Sequence, residues 1–195
     1  MKKRLGIDID GTVTCPSSLI PHINRAFNLS LTLEDIKEYD LTKALPDIHP
    51  SRFSEWFQET EADIYRSSPL HNEADAVLAN WKKEFELFFI SARGGQHLEL
   101  TKQWFDEQEI DYDHIELIGS HNKLDAVDQH NIDLFLEDKH DNAVMIHEEF
   151  SIPVILFDTP YNQDPIPDGV IRVRSWAEAH QWVMQWEKAL KKPLR

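Results

Sequence analysis

The sequence predicts an α/β protein: a doubly wound, mostly parallel sheet with a small helical cap inserted after the first strand. Three observations predict it. Short apolar runs, each closed by acidic or turn residues, recur along the chain. Amphipathic stretches of helical spacing separate them. One interval, from Asp10 to Phe85, is far longer than the roughly thirty residues of a βαβ unit.

Taken in order, the first run covers residues 5–9 and ends in acids. The second, 85–90 (FELFFI), is followed by Ser91-Ala92-Arg93-Gly94-Gly95. Residues 115–118 (IELI) close on Gly119-Ser120, 134–136 (LFL) on Glu137-Asp138, and 154–157 (VILF) on Asp158-Thr159-Pro160. Continuous Ile, Leu, Val and Phe, without alternation, suit parallel strands buried on both faces. Helical patterns fall at 96–108, with Leu100, Trp104 and Phe105, and at 123–130 and 141–150. The last, 175–190, sets Trp182, Trp186 and Leu190 at i, i+4 and i+8 behind Ser175 as N-cap. The long interval reads as helical segments at 33–39, 51–65 and 72–83, punctuated by Pro46, Pro50 and Pro69. Residues 1–14 and 81–195 are therefore expected to form the core, and 15–80 the cap.

Composition narrows the function. Twenty Lys and Arg against 35 Asp and Glu give the 195 residues a net charge of −15, and 41% of them are hydrophobic, too many for a disordered chain. No run of eighteen apolar residues exists, so no membrane partner is expected. MKKRLGIDIDG begins with basic residues but meets Asp8 before any signal-length apolar region, and the single cysteine, Cys15, has no internal partner; both suit the cytoplasm. So acidic a surface repels a polyphosphate backbone, which argues against nucleic acid as a partner. A small anion is still admissible where a metal or a helix N-terminus reverses the field locally. Oligomeric state is open.

The sharpest feature is Asp8-Ile9-Asp10-Gly11-Thr12. On an extended strand, residues two apart point to one side, so both carboxylates are expected to face one way at the strand's carboxyl end, where α/β sheets bind ligands. Two like charges so close require a proton or a cation. A calcium loop is excluded because Gly11 falls at position four, not six, counted from Asp8, and no Gly-Lys-Ser or Gly-Lys-Thr phosphate loop exists.

DIDGT after an apolar strand resembles the first motif of the haloacid dehalogenase superfamily of phosphatases. Three further motifs of that family have counterparts in order: Ser91 ending the next strand, Lys123 opening a later helix, and Glu137-Asp138 ending a following strand. Insertion between the first two motifs matches the superfamily's small-cap arrangement. Glu34-Asp35-Ile36, Tyr39-Asp40-Leu41, Ser68-Pro69-Leu70 and the run from Glu137 to Asn142 (EDKHDN) are similar to its 5′(3′)-deoxyribonucleotidase branch.

The resemblance implies a Mg²⁺-dependent phosphomonoester hydrolase acting on a small phosphorylated substrate, a (deoxy)nucleoside monophosphate. The alternatives are a sugar-phosphate or other metabolite phosphatase, and a catalytically silent phosphate-binding protein. It assigns Asp8 as the nucleophile that becomes an aspartyl-phosphate, and Asp10 as the acid and base. Asp8, Asp138 and the Asp10 carbonyl would hold Mg²⁺, and Ser91 and Lys123 the phosphoryl group, with backbone N–H groups near Gly11 and Ala92. Thr12, Arg93, Glu137, Asp141 and Asn142 are supporting candidates. Glu137, where many relatives have Asp, is expected behind Asp138. Asn142 is favoured as the next partner, and Asp141 is held as a water-mediated one. Arg93 admits two readings, substrate contact and structural salt bridge. His121, His130, His140 and His147 lack zinc-motif spacing and are read as non-ligands. Phe27, Tyr39, Phe53, Trp56, Phe57 and Tyr65 could stack a base, though most are expected to be cap core.

Overall fold

A computed structural model describes residues 2–191. Six parallel strands, β1 (Arg4–Ile7), β2 (Glu86–Ser91), β3 (His114–Leu117), β4 (Leu134–Glu137), β5 (Val154–Phe157) and β6 (Val170–Val173), form one sheet in the order β3-β2-β1-β4-β5-β6. The chain winds outward from β1 through β2 to β3, then returns to the other side of β1. That reversal makes a crevice beyond the carboxyl ends of β1 and β4, the switch point at which such sheets hold ligands.

Both faces of the sheet are covered, which is why its strands lack polar alternation. Along β5, Ile155 and Phe157 enter one apolar cluster, while Val154 and Leu156 enter the other. β6 was not legible in advance: Val170-Ile171-Arg172-Val173 follows a loop containing Pro160, Pro165 and Pro167, which hides a four-residue edge strand.

The helices are α1 (Ile20–Phe27), α2 (Leu41–Ala44), α3 (Pro50–Ser67), α4 (Ala74–Glu84), α5 (Leu98–Glu107), α6 (Leu124–Gln129), α7 (His140–Phe150) and α8 (Trp176–Leu190). Ser175 caps α8 as expected, its side chain accepting from the Glu178 N–H. The buried face of α8 is different from the one expected, however. Trp176, Ala179 and Val183 face the sheet, Trp182 and Trp186 flank them half-buried, and Leu190 is exposed. Small Ala179 lets the helix approach closely beside the buried Trp176 indole, while the other two indoles take the margins.

In the inserted segment, α1 was not foreseen; its Pro21 sits at the helix start, where a missing N–H costs nothing. The helix expected at 33–39 shrinks to one turn, Leu33–Asp35. A reciprocal Thr32–Asp35 capping box closes that turn, and Ile36 then takes an extended conformation. This extension carries Tyr39 toward the sheet. Ile20, Ile23, Ile36, Leu45, Ile48 and Phe53 form a separate cap core.

The boundary expected at residue 80 falls inside α4, whose Ala74, Val77, Leu78 and Trp81 pack into the sheet's own core. Two chain segments join the units side by side, with Cys15 N–H donating to Pro69 O and His71 N–H to Val13 O, both at 2.8 Å. We propose that the cap ends there, near Pro69, and that α4 belongs to the core.

Candidate active site

Each element of the switch point delivers one group. β1 ends at Ile7, and the Asp8 N–H donates to Leu136 O at 2.9 Å, which fixes the Asp8 backbone against β4. Residues Ile9–Val13 then leave the strand in a wide, non-helical turn closed by the Thr14 N–H donating to Ile9 O at 2.9 Å. Strand alternation therefore does not apply to Asp8 and Asp10, and their carboxylates go to different partners. Gly11 makes the turn possible in two ways. Its φ is +83°, and a Cβ there would lie 2.3 Å from Asp138 Oδ2.

Asp8 is bonded by the buried Lys123 ammonium, which precedes α6 and also donates to Glu137 Oε2 at 3.0 Å. Glu137, the last residue of β4, accepts at its other oxygen from Asn142 Nδ2 at 2.5 Å. Asp138 accepts from the Tyr161 hydroxyl at 2.6 Å through Oδ2, while its buried Oδ1 has no partner. Donor oxygens of Asp8, Glu137 and Asp138 lie within 4.8 Å of one another.

Three carboxylates thus share one ammonium. Burial, reinforced by Glu137, Asp138 and Asp10, holds Asp8 well above the ordinary carboxylate range even though Lys123 opposes it. Burial and Glu137 push Asp138 up to about 7, against the Tyr161 hydrogen bond and Lys123. Burial alone would lower Lys123, but Asp8 and Glu137 together raise it above the usual lysine value. Surplus buried negative charge on hard oxygens, one of them orphaned, fits a divalent cation such as Mg²⁺.

Asp10 leans the other way. Arg93, its side chain fully buried, grips both Asp10 oxygens, Nε to Oδ2 at 2.8 Å and Nη2 to Oδ1 at 2.7 Å, and donates to Thr101 Oγ1 at 3.1 Å. Of the two readings of Arg93, the structure shows the salt bridge. Ser91 Oγ is buried at the end of β2 and accepts from the Arg93 N–H at 3.2 Å. The Gly11 N–H is engaged by Thr14 Oγ1 at 3.1 Å. Thr12 is fully buried, its carbonyl accepting from Trp176 Nε1 and its hydroxyl unpartnered. Asp141 stands apart: its side chain is 74% exposed and pairs with His140, because the first turn of α7 turns it away while Asn142 faces inward.

Sequence reasoning missed two residues that bond Asp138. Tyr161 and Asn162 lie in the loop after β5, where Asn162 Nδ2 donates to both Asp138 O and Phe157 O at 2.7 Å. No spacing signalled them. From the cap, Tyr39 packs edge-on against Tyr161 and His121, and Tyr65 lies 4.1 Å beneath the Arg93 guanidinium. Phe27, Phe53, Trp56 and Phe57 instead pack on one another as cap core.

Comparison with known proteins settles the lineage. The model of the family described as 5′ nucleotidase, deoxy (pyrimidine), cytosolic type C protein matches residues 2–189. The chain belongs to this family. It is 50% identical over 187 residues to a protein of Halalkalibacterium halodurans provisionally named a nucleotidase, covering 96% of this chain and 95% of the relative. Its fold matches a haloacid dehalogenase-like hydrolase of Streptococcus pneumoniae with a TM-score of 0.66 at 14% identity, over 95% and 98% of the two chains. It also matches a provisionally assigned hydrolase of that superfamily from Bacillus subtilis, solved bound to magnesium, with a TM-score of 0.64 at 13% identity, over 93% and 98%. The chain is thus an enzyme of the nucleotidase family, with the fold of haloacid dehalogenase-like hydrolases. Among the described residues, no helix is long and apolar enough to cross a membrane.

Proposed function

We propose that this enzyme is a Mg²⁺-dependent, cytoplasmic 5′-nucleotidase that hydrolyses deoxynucleoside monophosphates through an aspartyl-phosphate on Asp8. The observation that carries the reading is the buried Asp8 carboxylate, held by Lys123 beside Glu137 and the half-satisfied Asp138. Asp8, Asp138 and the Asp10 carbonyl would hold Mg²⁺. When bound, the ion would neutralise the carboxylate cluster and offset the charge of the phosphoryl oxygens.

An Asp8 oxygen attacks phosphorus, and the bond from phosphorus to the nucleoside oxygen breaks. Asp10, once it leaves the Arg93 fork and takes a proton from solvent, supplies the leaving oxygen's proton. It then takes one from the water that attacks the aspartyl-phosphate, which returns Asp8 free and phosphate as product. Lys123 and the Ser91 hydroxyl hold the phosphoryl oxygens, and Asn142 keeps Glu137 turned to Lys123. Tyr39 and Tyr65, the cap rings nearest the site, would face the leaving group, which suits a planar base. The name of the matched family and that of the 50% identical relative support the substrate class.

The test is phosphate release from deoxynucleotides, ribonucleotides and sugar phosphates, each with Mg²⁺ and with chelator. Mg²⁺-dependent turnover with kcat/KM at least tenfold higher for deoxynucleotides is expected. Equal rates across the panel would overturn the substrate assignment, and undiminished rates in chelator would overturn the metal requirement.

A further inference from the structure

A second set of metal-type donors converges at the edge of the sheet, on residues the phosphatase chemistry does not use. β3 is an edge strand, and its His114 and Glu116, two residues apart, project from one face. His130, directly after α6, comes down beside them. Glu116 Oε2 lies 2.7 Å from His130 Nε2 and 3.7 Å from His114 Nε2, and the imidazole centroids are 4.5 Å apart.

Tetrahedral donors about 2.0–2.1 Å from a zinc ion sit roughly 3.3 Å from one another, and the two measured separations bracket that value. We propose that His114, Glu116 and His130 form a three-ligand site for a late first-row divalent metal, Zn²⁺ foremost, with its fourth position open.

Chemistry separates this site from the catalytic one. Two imidazoles and a carboxylate favour Zn²⁺, Co²⁺ or Ni²⁺, whereas the all-oxygen cluster of Asp8, Glu137 and Asp138 favours Mg²⁺. The frame is already set. The Phe88 ring packs against both imidazoles, at 5.6 Å from His114 and 5.2 Å from His130, and the His130 carbonyl accepts from Arg4 Nη1 at 2.8 Å. The positive charge of Arg4 is paired with Glu86 at 2.9 Å. His114 is 41% exposed at its side chain and His130 13%, so the site is open on one side only. A cavity of about 310 Å³ lined by Gly95, Leu98, His114 and Glu116 adjoins it, leaving room for water or a small ligand on the metal.

The test is a Co²⁺ titration of the whole protein in excess Mg²⁺, followed by visible absorption and by displacement with Zn²⁺. One equivalent of Co²⁺ with the intense bands of four-coordinate geometry is expected, released stoichiometrically by Zn²⁺. His114→Ala and His130→Ala should each weaken binding by more than about 100-fold, beyond the 10–100-fold of an outer-shell partner. Asp138→Asn should leave the spectrum unchanged. Weak six-coordinate bands in the wild type, or binding undiminished in His114→Ala, would reduce the cluster to a histidine–carboxylate hydrogen bond and overturn the proposal. Melting of each variant in chelator establishes that it is folded.

Discussion

Replacing Asp138 with Asn removes one of three crowded carboxylates while keeping the side chain's shape and its acceptor for Tyr161. Burial and Glu137 push Asp138 up to about 7, whereas in the unfolded chain it returns to about 3.8. Between those values the folded protein holds a proton that the unfolded chain has released, so the stability this group contributes falls as pH rises from about 4 to 7. At 1.36 kcal/mol per pH unit, the penalty above pH 7 in metal-free protein is about 4 kcal/mol. A chain of this size shifts its midpoint by about 2–4 °C per kcal/mol. In chelator, Asp138→Asn should therefore melt roughly 8 °C or more above wild type at pH 8, and level with it near pH 4. Mg²⁺ at one hundred times its Kd should stabilise wild type by about 2.7 kcal/mol and the variant by almost nothing. Thermal melts from pH 4 to 8, with and without Mg²⁺, read both effects. A variant less stable than wild type at pH 8 in chelator, or one that gains equally from Mg²⁺, refutes the assignment of this cluster as a frustrated cation site.

Three other substitutions probe the remaining parts. Asp8→Asn should reduce phosphate release to background without lowering the melting midpoint, since Lys123 keeps Glu137 and the carboxylate removed is one that burial destabilises; hydrolysis near the wild-type rate would remove Asp8 as nucleophile. Lys123→Met leaves Asp8 and Glu137 buried without their cation and should cost about 3–5 kcal/mol in urea denaturation at neutral pH, along with activity. Tyr39→Ala should raise KM for nucleotides several-fold and leave kcat/KM for a simple aryl phosphate unchanged, and equal losses on both substrates would deny Tyr39 a part in reading the base.

Much of the sheet was legible because a parallel strand buried on both faces leaves an unmistakable apolar run, and residues 154–157 became β5 without adjustment. β6 was not, because four residues behind three prolines carry too little pattern. The helix read at 33–39 failed where a capping box satisfied its first turn locally and no apolar repeat continued it. At the site, Asp8, Lys123, Glu137 and Asp138 were legible because each stands at the end of a recognisable element, and the structure brings their side chains together. Tyr161 and Asn162 were not, since they reach Asp138 from a loop whose path only the assembled sheet determines. Nor was the grouping of His114, Glu116 and His130, the last of which spacing alone reads as a non-ligand. Strand pairing places His114 beside Phe88, and α6 returns His130 to the same face, neither of which is visible in linear spacing.

A chain with a net charge of −15 that acts on a phosphorylated substrate must confine its positive charge, and here the confinement also links the cap to Asp10, the proposed acid. Lys123 and Arg93 are both buried, one committed to Asp8 and Glu137, the other to Asp10. Arg93 lies over Tyr65 of α3, and Tyr65 packs against His97, whose Nε2 pairs with Glu61 of the same helix at 2.7 Å. The group that fixes Asp10 therefore rests on the cap and not only on the sheet. A rotation of α3 that shifts Tyr65 alters the surroundings of Arg93, and with them the ease with which Asp10 leaves the salt bridge to meet a substrate oxygen. On the proposed reading of Asp10 as acid and base, a cap movement that displaced Tyr65 would thus couple enclosure of the substrate to the state of the Arg93–Asp10 salt bridge.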